Sequence, residues 1–490
     1  MSAIKNRLLL FLLLATLAPT AANAETIAIK AKRVYTSAGK PIKSGIVLIR
    51  DGKVVSVGVD LKIPDDARTV AIPNTVVTPG LVEACCLLDS QIQEVSSRRF
   101  AVEPDQKNSG QSCKHVADGE PACFLCEYER KLTAKPHPGH VARGCACGNV
   151  EYYQKLVDTD FALAGSPRGT WAEHSAEVIP HLRVLDSVNL MSNDFKRLMR
   201  GGVTTVYVSP DPASVIGSRG AIVKTAGRFE KRIVNAQAAV KATIGSDPSL
   251  RGRPSMPPSR FRVTFMTRRP TTRMGVEWVF RKAFYDARRM RESGAPIGGA
   301  DTPPAEALPV LNAILDGQIP LRIQARAQND IFTALRLAKE FGLKFTLDEG
   351  SEAFRALPQL KAAGVPVIYG PISFEPRGFR RFTLDADHAR LSTPRRLHDE
   401  GIEFALTAAE LRDEEGLVRQ AMMAQRYGLA HNDALNAITA VPAKLLGLAG
   451  RVGTLEKGAD ADLVVWSGDP LAATSRVRLV LINGQVVYDE

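Results

Sequence analysis

The sequence lacks the short motifs that mark several common classes of enzyme. It contains no Gly-x-Ser-x-Gly elbow, no phosphate-binding loop and no glycine-rich dinucleotide fingerprint. No segment repeats at the period of a solenoid, and after residue 24 no run is apolar enough to cross a bilayer. The pattern therefore argues against a nucleotide-dependent enzyme, a repeat protein and a membrane-spanning protein.

The first 24 residues have the pattern of a secretory signal. Lys5 and Arg7 precede an apolar run at residues 8–14, and small residues at 22–24 form a cleavage site. The alternative, a membrane anchor, needs about 20 apolar residues, and this run is shorter. We therefore expect an exported mature protein, periplasmic or extracytoplasmic, without a membrane span.

Composition indicates a globular and basic chain. Hydrophobic residues make up 45% of the 490 residues and charged residues 24%, with a formal net charge of +12. Arginine is concentrated at residues 251–291, without the interleaved aromatic residues of a nucleic-acid groove. We expect a solvated basic face there, able to meet an acidic partner or substrate, and no nucleic-acid partner.

Five of the seven cysteines lie in one segment, which predicts either a zinc site or disulfides. A Cys-x-x-Cys pair is followed, after 18 intervening residues, by a Cys-x-Cys pair. The first spacing favours structural zinc, whereas an oxidising compartment favours disulfides. Haem attachment is excluded because Glu127 stands where a histidine would follow, and a reactive dithiol is a third reading. The candidate metal ligands are Cys113, Cys123, Cys126, Cys145 and Cys147.

The two chain ends share a pattern of short strands, and the middle alternates strand with helix. Asp51-Gly52 and Asn483-Gly484 are hairpin turns between apolar runs, one near each end. Neither hairpin is stable alone, so we expect the two ends to form one domain. Between them, strand-like runs at 320–325 and 343–347 flank a helical pattern at 330–341, which predicts parallel βα units.

Three segments carry a resemblance to a known family. Residues 77–84 read VTPGLVEA, residues 201–206 read GGVTTV, and the third segment joins AITAVPAK at 437–444 to GTLEKGADADLV at 453–464. In these stretches the chain resembles the amidohydrolase superfamily, in its imidazolonepropionase-like branch. The resemblance covers nearly all of the chain except about residues 90–165, which have the character of an insertion.

The resemblance implies an α/β fold with a (β/α)8 TIM-type barrel and a composite β-sandwich formed by both termini. The expected domains are a signal peptide at 1–24, the first half of the sandwich at 25–79, the barrel at 80–447 with a cysteine-rich insertion at about 90–165, and the second half of the sandwich at 448–490.

The family's metal ligands, mapped onto this sequence, fall on residues that bind metal poorly or not at all. The expected histidines become Cys85, Leu87, Gln324 and Glu349, and the expected aspartate becomes Ala409. A catalytic metal lowers the pKa of bound water from about 16 to about 7. Leucine and alanine cannot ligate, and glutamine is a weak neutral donor. The resemblance implies hydrolysis of carbon–nitrogen bonds in amides or cyclic amides, but these substitutions predict loss of the standard centre.

Three hypotheses follow. The chain keeps the fold without catalysis, as a pseudoenzyme that binds a small molecule or partners an active amidohydrolase paralogue. Alternatively, it is a hydrolase with an atypical metal site of Cys85, Glu349 and Glu410. The third is a metal or redox protein that acts through the cysteine-rich insertion with structural zinc. A homo-oligomer is compatible with each.

Overall fold

The computed structural model of the chain describes residues 26–88, 173, 176–249, 270–294, 302–373, 385 and 389–490. The expected signal peptide at 1–24 and the cysteine-rich insertion at about 90–165 lie outside the described residues. Within the described ranges, the structure contains no helix long and apolar enough to cross a membrane.

Strands from both chain ends form one eight-stranded sheet, here called the terminal sheet. Its order is β16-β15-β14-β5-β1-β2-β3, with β4 paired parallel to β1. The two halves join where β14 pairs antiparallel to β5. In chain order the strands are β1 (Thr26–Val34), β2 (Ile42–Arg50), β3 (Lys53–Gly58), β4 (Arg68–Ala71), β5 (Val76–Pro79), β14 (Leu463–Trp466), β15 (Val477–Ile482) and β16 (Gln485–Asp489).

The two hairpin turns predicted from the sequence are confirmed, and they touch each other. Asp51 and Gly52 have φ values of 55° and 74°, and Asn483 and Gly484 have 49° and 74°, as a two-residue turn of this type requires. The Gly52 carbonyl accepts from the Ala461 amide at 2.8 Å, and the Ala461 carbonyl accepts from the Gly484 amide at 2.9 Å. These hydrogen bonds connect the hairpin near the start of the chain to the hairpin near its end.

Apolar side chains from both halves share one core beneath the terminal sheet. Ile29 and Ile49 from the first half pack in one buried cluster with Leu463 and Leu481 from the second. Burial of this shared surface supplies the stability that neither hairpin has alone.

The middle of the chain forms a second eight-stranded sheet, here called the barrel sheet, in which strand order follows chain order. The sheet curls until its first and last strands approach, so that it is nearly closed. Its strands are β6 (Leu81–Cys86), β7 (Val203–Val208), β8 (Ile216–Lys224), β9 (Ile233–Thr243), β10 (Leu321–Ala325), β11 (Phe345–Glu349), β12 (Val367–Tyr369) and β13 (Phe404–Leu406).

One strand departs from the all-parallel pattern that the resemblance implies. β8 runs antiparallel to both β7 and β9, whereas the other neighbours pair in parallel. The links on either side of β8, residues 209–215 and 225–232, are too short for a crossover helix that would return the chain in the same direction. Because these links are short, the chain reverses direction at each of them, and β7, β8 and β9 form an antiparallel meander.

The seam between β13 and β6 is bridged by other groups. The Val82 amide donates to the Ile438 carbonyl at 2.9 Å, and the Leu406 amide donates to the Ala437 carbonyl at 2.8 Å. The fully buried Glu83 carboxylate accepts from Thr407 Oγ1 at 2.5 Å and from the Ala408 amide at 2.9 Å. Burial raises the pKa of Glu83, and these hydrogen bonds offset part of that effect.

Helices cover the outside of the barrel sheet. Their inner faces join one large core with the strands, in which Phe280, Phe284 and Phe341 pack ring against ring. The helices are α1 (Asn193–Arg200), α2 (Phe229–Arg232), α3 (Arg273–Ser293), α4 (Ala307–Leu315), α5 (Gln328–Phe341), α6 (Leu357–Ala363), α7 (Thr393–Asp399), α8 (Leu417–Arg426), α9 (His431–Asn436) and α10 (Ala440–Leu445). Short 3-10 turns occur at Val184–Asp186, Ala353–Arg355 and Asp413–Glu415.

Arginines expected on a solvated basic face are partly neutralised by carboxylates. Arg281 pairs with Glu340 at 2.9 Å, and Arg291 pairs with Asp316 at 2.9 Å. The positive charges of Arg281 and Arg291 on α3 are therefore each paired with a carboxylate.

Candidate site at the mouth of the barrel

The residues singled out from the sequence lie at the carboxyl ends of the barrel strands. Cys85 and Cys86 end β6, Gln324 lies on β10, Glu349 ends β11, and Ala409 follows β13. All five are buried, as are Leu87 and Glu410. This end of a barrel sheet is where active sites of such folds form.

Two of these positions have strained backbone. Glu349 has a φ of 69° and Ala409 a φ of 51°, both in the left-handed region that residues other than glycine rarely adopt. Such outliers cost about 1–3 kcal/mol each and cluster at functional sites. The backbone strain at the mouth of this barrel is therefore typical of a functional site.

Arg326 is the centre of the charged network at the mouth. Its Nε donates to Glu349 Oε2 at 2.5 Å, and its Nη1 donates to Asp247 Oδ2 at 2.6 Å. Gln324 Nε2 donates to the same Asp247 oxygen at 2.7 Å. Arg326 is only 4% exposed, so the guanidinium is enclosed between the two carboxylates.

Burial and charge act in opposite directions on this network. Burial lowers the pKa of the Arg326 guanidinium, whereas the negative charges of Asp247 and Glu349 raise it. The effect of the two carboxylates is the larger, so the pKa of Arg326 lies above its usual value. Burial also raises the pKa of Asp247, and Arg326 offsets part of that rise. Arginine stays protonated in proteins, so this cation is permanent.

A second buried arginine, Arg322, is the centre of another group of contacts inside the barrel. Arg322 pairs with Asp348 at 2.7 Å, donates to the Ala84 carbonyl at 2.6 Å and lies 4.0 Å from the ring centre of Tyr207. Cys85 Sγ lies 4.0 Å from Asp348 Oδ2. Burial, together with the Asp348 charge, raises the pKa of Cys85 to about 11. The thiol is therefore protonated near neutral pH.

Cys86 and Ala409 belong to a third group, around Arg412. Its Nη2 donates to Cys86 Sγ at 3.2 Å and to the Leu87 carbonyl at 2.7 Å, and its Nη1 donates to the Ala409 carbonyl at 2.6 Å. Burial raises the pKa of Cys86 to about 12. The predicted site residues are thus divided between separate arginine-centred groups and do not converge on one point.

Three residues of the site were missed in the sequence, namely Arg326, Asp247 and Asp348. A usable signal was present on β10, where Arg322, Gln324 and Arg326 alternate with apolar residues. In a strand this period of two places the three polar side chains on one face. Asp247 carried no comparable signal because it lies 79 residues before its partner Arg326.

Comparison with known proteins gives consistent matches. The sequence model of the Amidohydrolase family matches residues 401–488. The chain is 26% identical over 341 residues to amidohydrolase tasK of Hapsidospora irregularis, which covers 65% of this chain and 34% of that protein. The chain thus spans about a third of the length of that curated relative. The crystal structure of an amidohydrolase from Thermotoga maritima MSB8 is 26% identical, with a TM-score of 0.69, and covers 95% of this chain and all of the other.

These matches support membership of the chain in the amidohydrolase superfamily. Membership supports a hydrolytic function in the broad sense. It also supports a mixed α/β fold with a nearly closed, barrel-like sheet. The assignment to the imidazolonepropionase-like branch stays a prediction.

The described residues do not fit the metal that an amidohydrolase implies. Leu87 and Ala409 carry no side-chain donor atom, and burial raises the pKa of the Cys85 thiol, which disfavours the thiolate that a metal binds. Glu349 already accepts two hydrogen bonds from Arg326. Among the described residues the buried Gln324 Oε1 has no hydrogen-bond partner, and it would offer a metal a single neutral oxygen. Across the described ranges, no group of three His, Cys, Asp or Glu side chains is placed to hold a metal ion.

The cysteine-rich candidates cannot be placed. Cys113, Cys123, Cys126, Cys145 and Cys147 lie outside the described residues. Zinc and disulfides therefore both stay predictions for that segment.

Proposed function

We propose that this chain is a non-catalytic relative of the metal-dependent amidohydrolases, in which a buried guanidinium stands at the barrel mouth where relatives hold a divalent cation. It keeps the fold and binds a small molecule or an active paralogue. The proposal includes a (β/α)8-type barrel with one reversed strand, a composite domain of both termini, and export directed by residues 1–24.

The contact between Arg326 and Glu349 carries this proposal. Glu349 is one of the two side chains at the family's ligand positions that could bind a metal, the other being Cys85. The Glu349 side chain is 1% exposed, and its carboxylate forms an ion pair with Arg326. A divalent cation at Glu349 would have to displace that arginine or share the carboxylate with it, against strong repulsion at short range.

Catalysis by the usual route needs a metal-bound hydroxide, and the residues that the structure describes offer no substitute. Deprotonating water without a metal near neutral pH costs on the order of 12 kcal/mol more than it does on a catalytic metal. Single general bases contribute about 10²–10⁴-fold in rate, which is far smaller. Loss of the cation therefore means loss of the hydrolytic activity.

The rival is a working hydrolase with Cys85, Glu349 and Glu410 as ligands. It requires a metal ion to displace the proton of the buried Cys85 thiol and to separate Glu349 from Arg326. A third function, through the cysteine-rich insertion, concerns residues outside the described ranges and is compatible with an inactive barrel.

Metal content per chain of the purified mature protein distinguishes these. We expect any bound zinc to disappear with Cys123→Ser plus Cys126→Ser and to persist with Cys85→Ser plus Glu349→Gln. The reverse result would establish the rival.

Hydrolysis of N-acylated amino acids and cyclic amides, measured with added zinc or manganese, provides a second arm. We expect the protein and its Cys85→Ser plus Glu349→Gln variant to give the same background rate. Metal-dependent turnover that this double variant abolishes would refute the non-catalytic assignment.

A further inference from the structure

An open groove lies at the opposite end of the barrel sheet from the candidate site. It has a volume of about 1330 Å³ and is lined by the amino-terminal ends of β10 and β11 together with α5, the end of α4 and the end of α6. Its walls are largely apolar, with Ile319, Phe332 and Leu335 half-buried. Drug-sized ligands occupy about 300–1,000 Å³ in enclosed pockets, so this groove is larger and more open than a small molecule needs.

Helix α5 lines this groove with a stripe of apolar and basic side chains. Phe332, Leu335, Arg336 and Lys339 follow the spacing i, i+3, i+4 and i+7, which places them along one face of the helix. The opposite face of α5 is buried in the barrel core. The stripe is therefore an exposed surface with two apolar and two cationic side chains.

The charges at the groove have a single sign. Arg336, Lys339 and Lys344 line it and are exposed, and no aspartate or glutamate is among the lining residues. In the part of the chain that the structure describes, none of the three cations forms an ion pair. Two acidic residues next to groove-lining residues in the sequence, Asp316 and Glu340, are paired with arginines of α3.

We propose that this groove docks an acidic amphipathic segment of a partner protein. Apolar side chains at helical spacing would fill the space between Ile319, Phe332 and Leu335, and carboxylates on the flanks would meet the three cations. This is the helix-in-groove mode of recognition, with specificity from charge complementarity. A second copy of this chain is a poorer occupant, because the chain carries a net charge of +12.

A synthetic peptide tests this directly. The probe is a fluorescent 16-residue helix with leucine on one face and glutamate on the other, titrated against the full-length protein by anisotropy. Two substituted peptides serve as controls. One has lysine in place of glutamate, and the other has serine in place of leucine. We expect the Glu/Leu peptide to bind at least about tenfold more tightly than either control and to weaken with added salt.

Substitutions in the protein locate the binding. Arg336→Glu plus Lys339→Glu, and separately Leu335→Asp, are each expected to weaken binding by about tenfold or more. The matched control is Lys30→Glu plus Lys32→Glu, which reverses two exposed lysines on β1 and should leave affinity within about twofold. Circular dichroism melting confirms that each variant is folded.

Four outcomes would overturn the inference. They are no binding of the Glu/Leu peptide, equal binding of the lysine peptide, equal loss in the β1 control, or affinity unchanged by the groove substitutions. Self-association that the groove variants abolish would instead assign the groove to a second copy. Binding to vesicles of phosphatidylglycerol that these variants abolish would assign it to a membrane surface. Both results would reject the protein partner.

Discussion

Arg326 and Glu349 form a buried ion pair across 2.5 Å at the point where an amidohydrolase would place a metal ligand. The guanidinium supplies positive charge to two carboxylates, Glu349 and Asp247, that otherwise would face each other in a low-dielectric interior. A cation of the protein itself thus balances the charge of these two carboxylates. The account of the chain as a non-catalytic relative depends on this pair.

Removing the arginine alone should be costly. Arg326→Met removes the cation that pairs with the buried carboxylates of Asp247 and Glu349, and breaking a buried pair in this way costs about 3–5 kcal/mol. Arg326→Met together with Glu349→Gln should recover part of that loss, because one uncompensated charge is gone. The measurement is the urea denaturation midpoint of the protein and the two variants.

An exposed pair provides the control for this experiment. Arg395 and Asp399 pair at 2.7 Å with both side chains about half exposed, so Arg395→Met should cost about 0–1 kcal/mol. Equal costs for Arg326→Met and Arg395→Met would show that the Arg326 network contributes little, contrary to its burial.

Asp330 should make stability depend on pH between about 4 and 6. Burial raises the pKa of Asp330 from 3.8 to about 6, although Arg273 offsets part of the rise. In this window the folded chain holds a proton that the unfolded chain has released. The free energy of unfolding therefore falls as pH rises through the window, and the contribution is gone above about pH 6.

Asp330→Asn removes the titrating proton and should flatten the urea midpoint between pH 4 and 6. Asp399→Asn is the control. The neighbouring Arg395 lowers the pKa of Asp399, and its contribution is instead lost as pH falls below about 4. A midpoint that rises with pH in the native protein, or an unchanged slope in Asp330→Asn, would contradict the assignment.

The two described cysteines should be inert in the folded protein. Burial raises the pKa of Cys85 to about 11 and that of Cys86 to about 12, and both thiols are fully buried. The thiolate is the reactive form, so iodoacetamide at pH 8 should leave both unlabelled until urea unfolds the chain. Peptide mapping by mass spectrometry reads each site separately. Rapid labelling of Cys85 in the native protein would restore it as a candidate metal ligand.

The local parts of the fold could be predicted from the sequence. The hairpin turn at Asp51-Gly52 is fixed by residues that tolerate positive φ, and strand β10 was placed within one residue of its observed start. Both signals lie within a few consecutive residues. The joining of the two chain ends followed from the instability of each hairpin alone.

The charged network and the reversed strand could not be predicted, because they depend on residues distant in the sequence. Arg326 meets Asp247 only after the sheet has curled, and Arg322 meets Asp348 from the next strand. The direction of β8 is set by the lengths of its two links, which no motif marks. The mapping of the family's ligands onto this sequence stays a prediction, and it did not include the buried arginines Arg322 and Arg326.

The most direct test is a crystal structure of the mature protein grown with excess zinc, with anomalous scattering recorded at the zinc edge. The account predicts no anomalous peak within bonding distance of Glu349 and an Arg326 guanidinium still seated against its carboxylate. A peak coordinated by Cys85 and Glu349, with an attached solvent molecule, would contradict it.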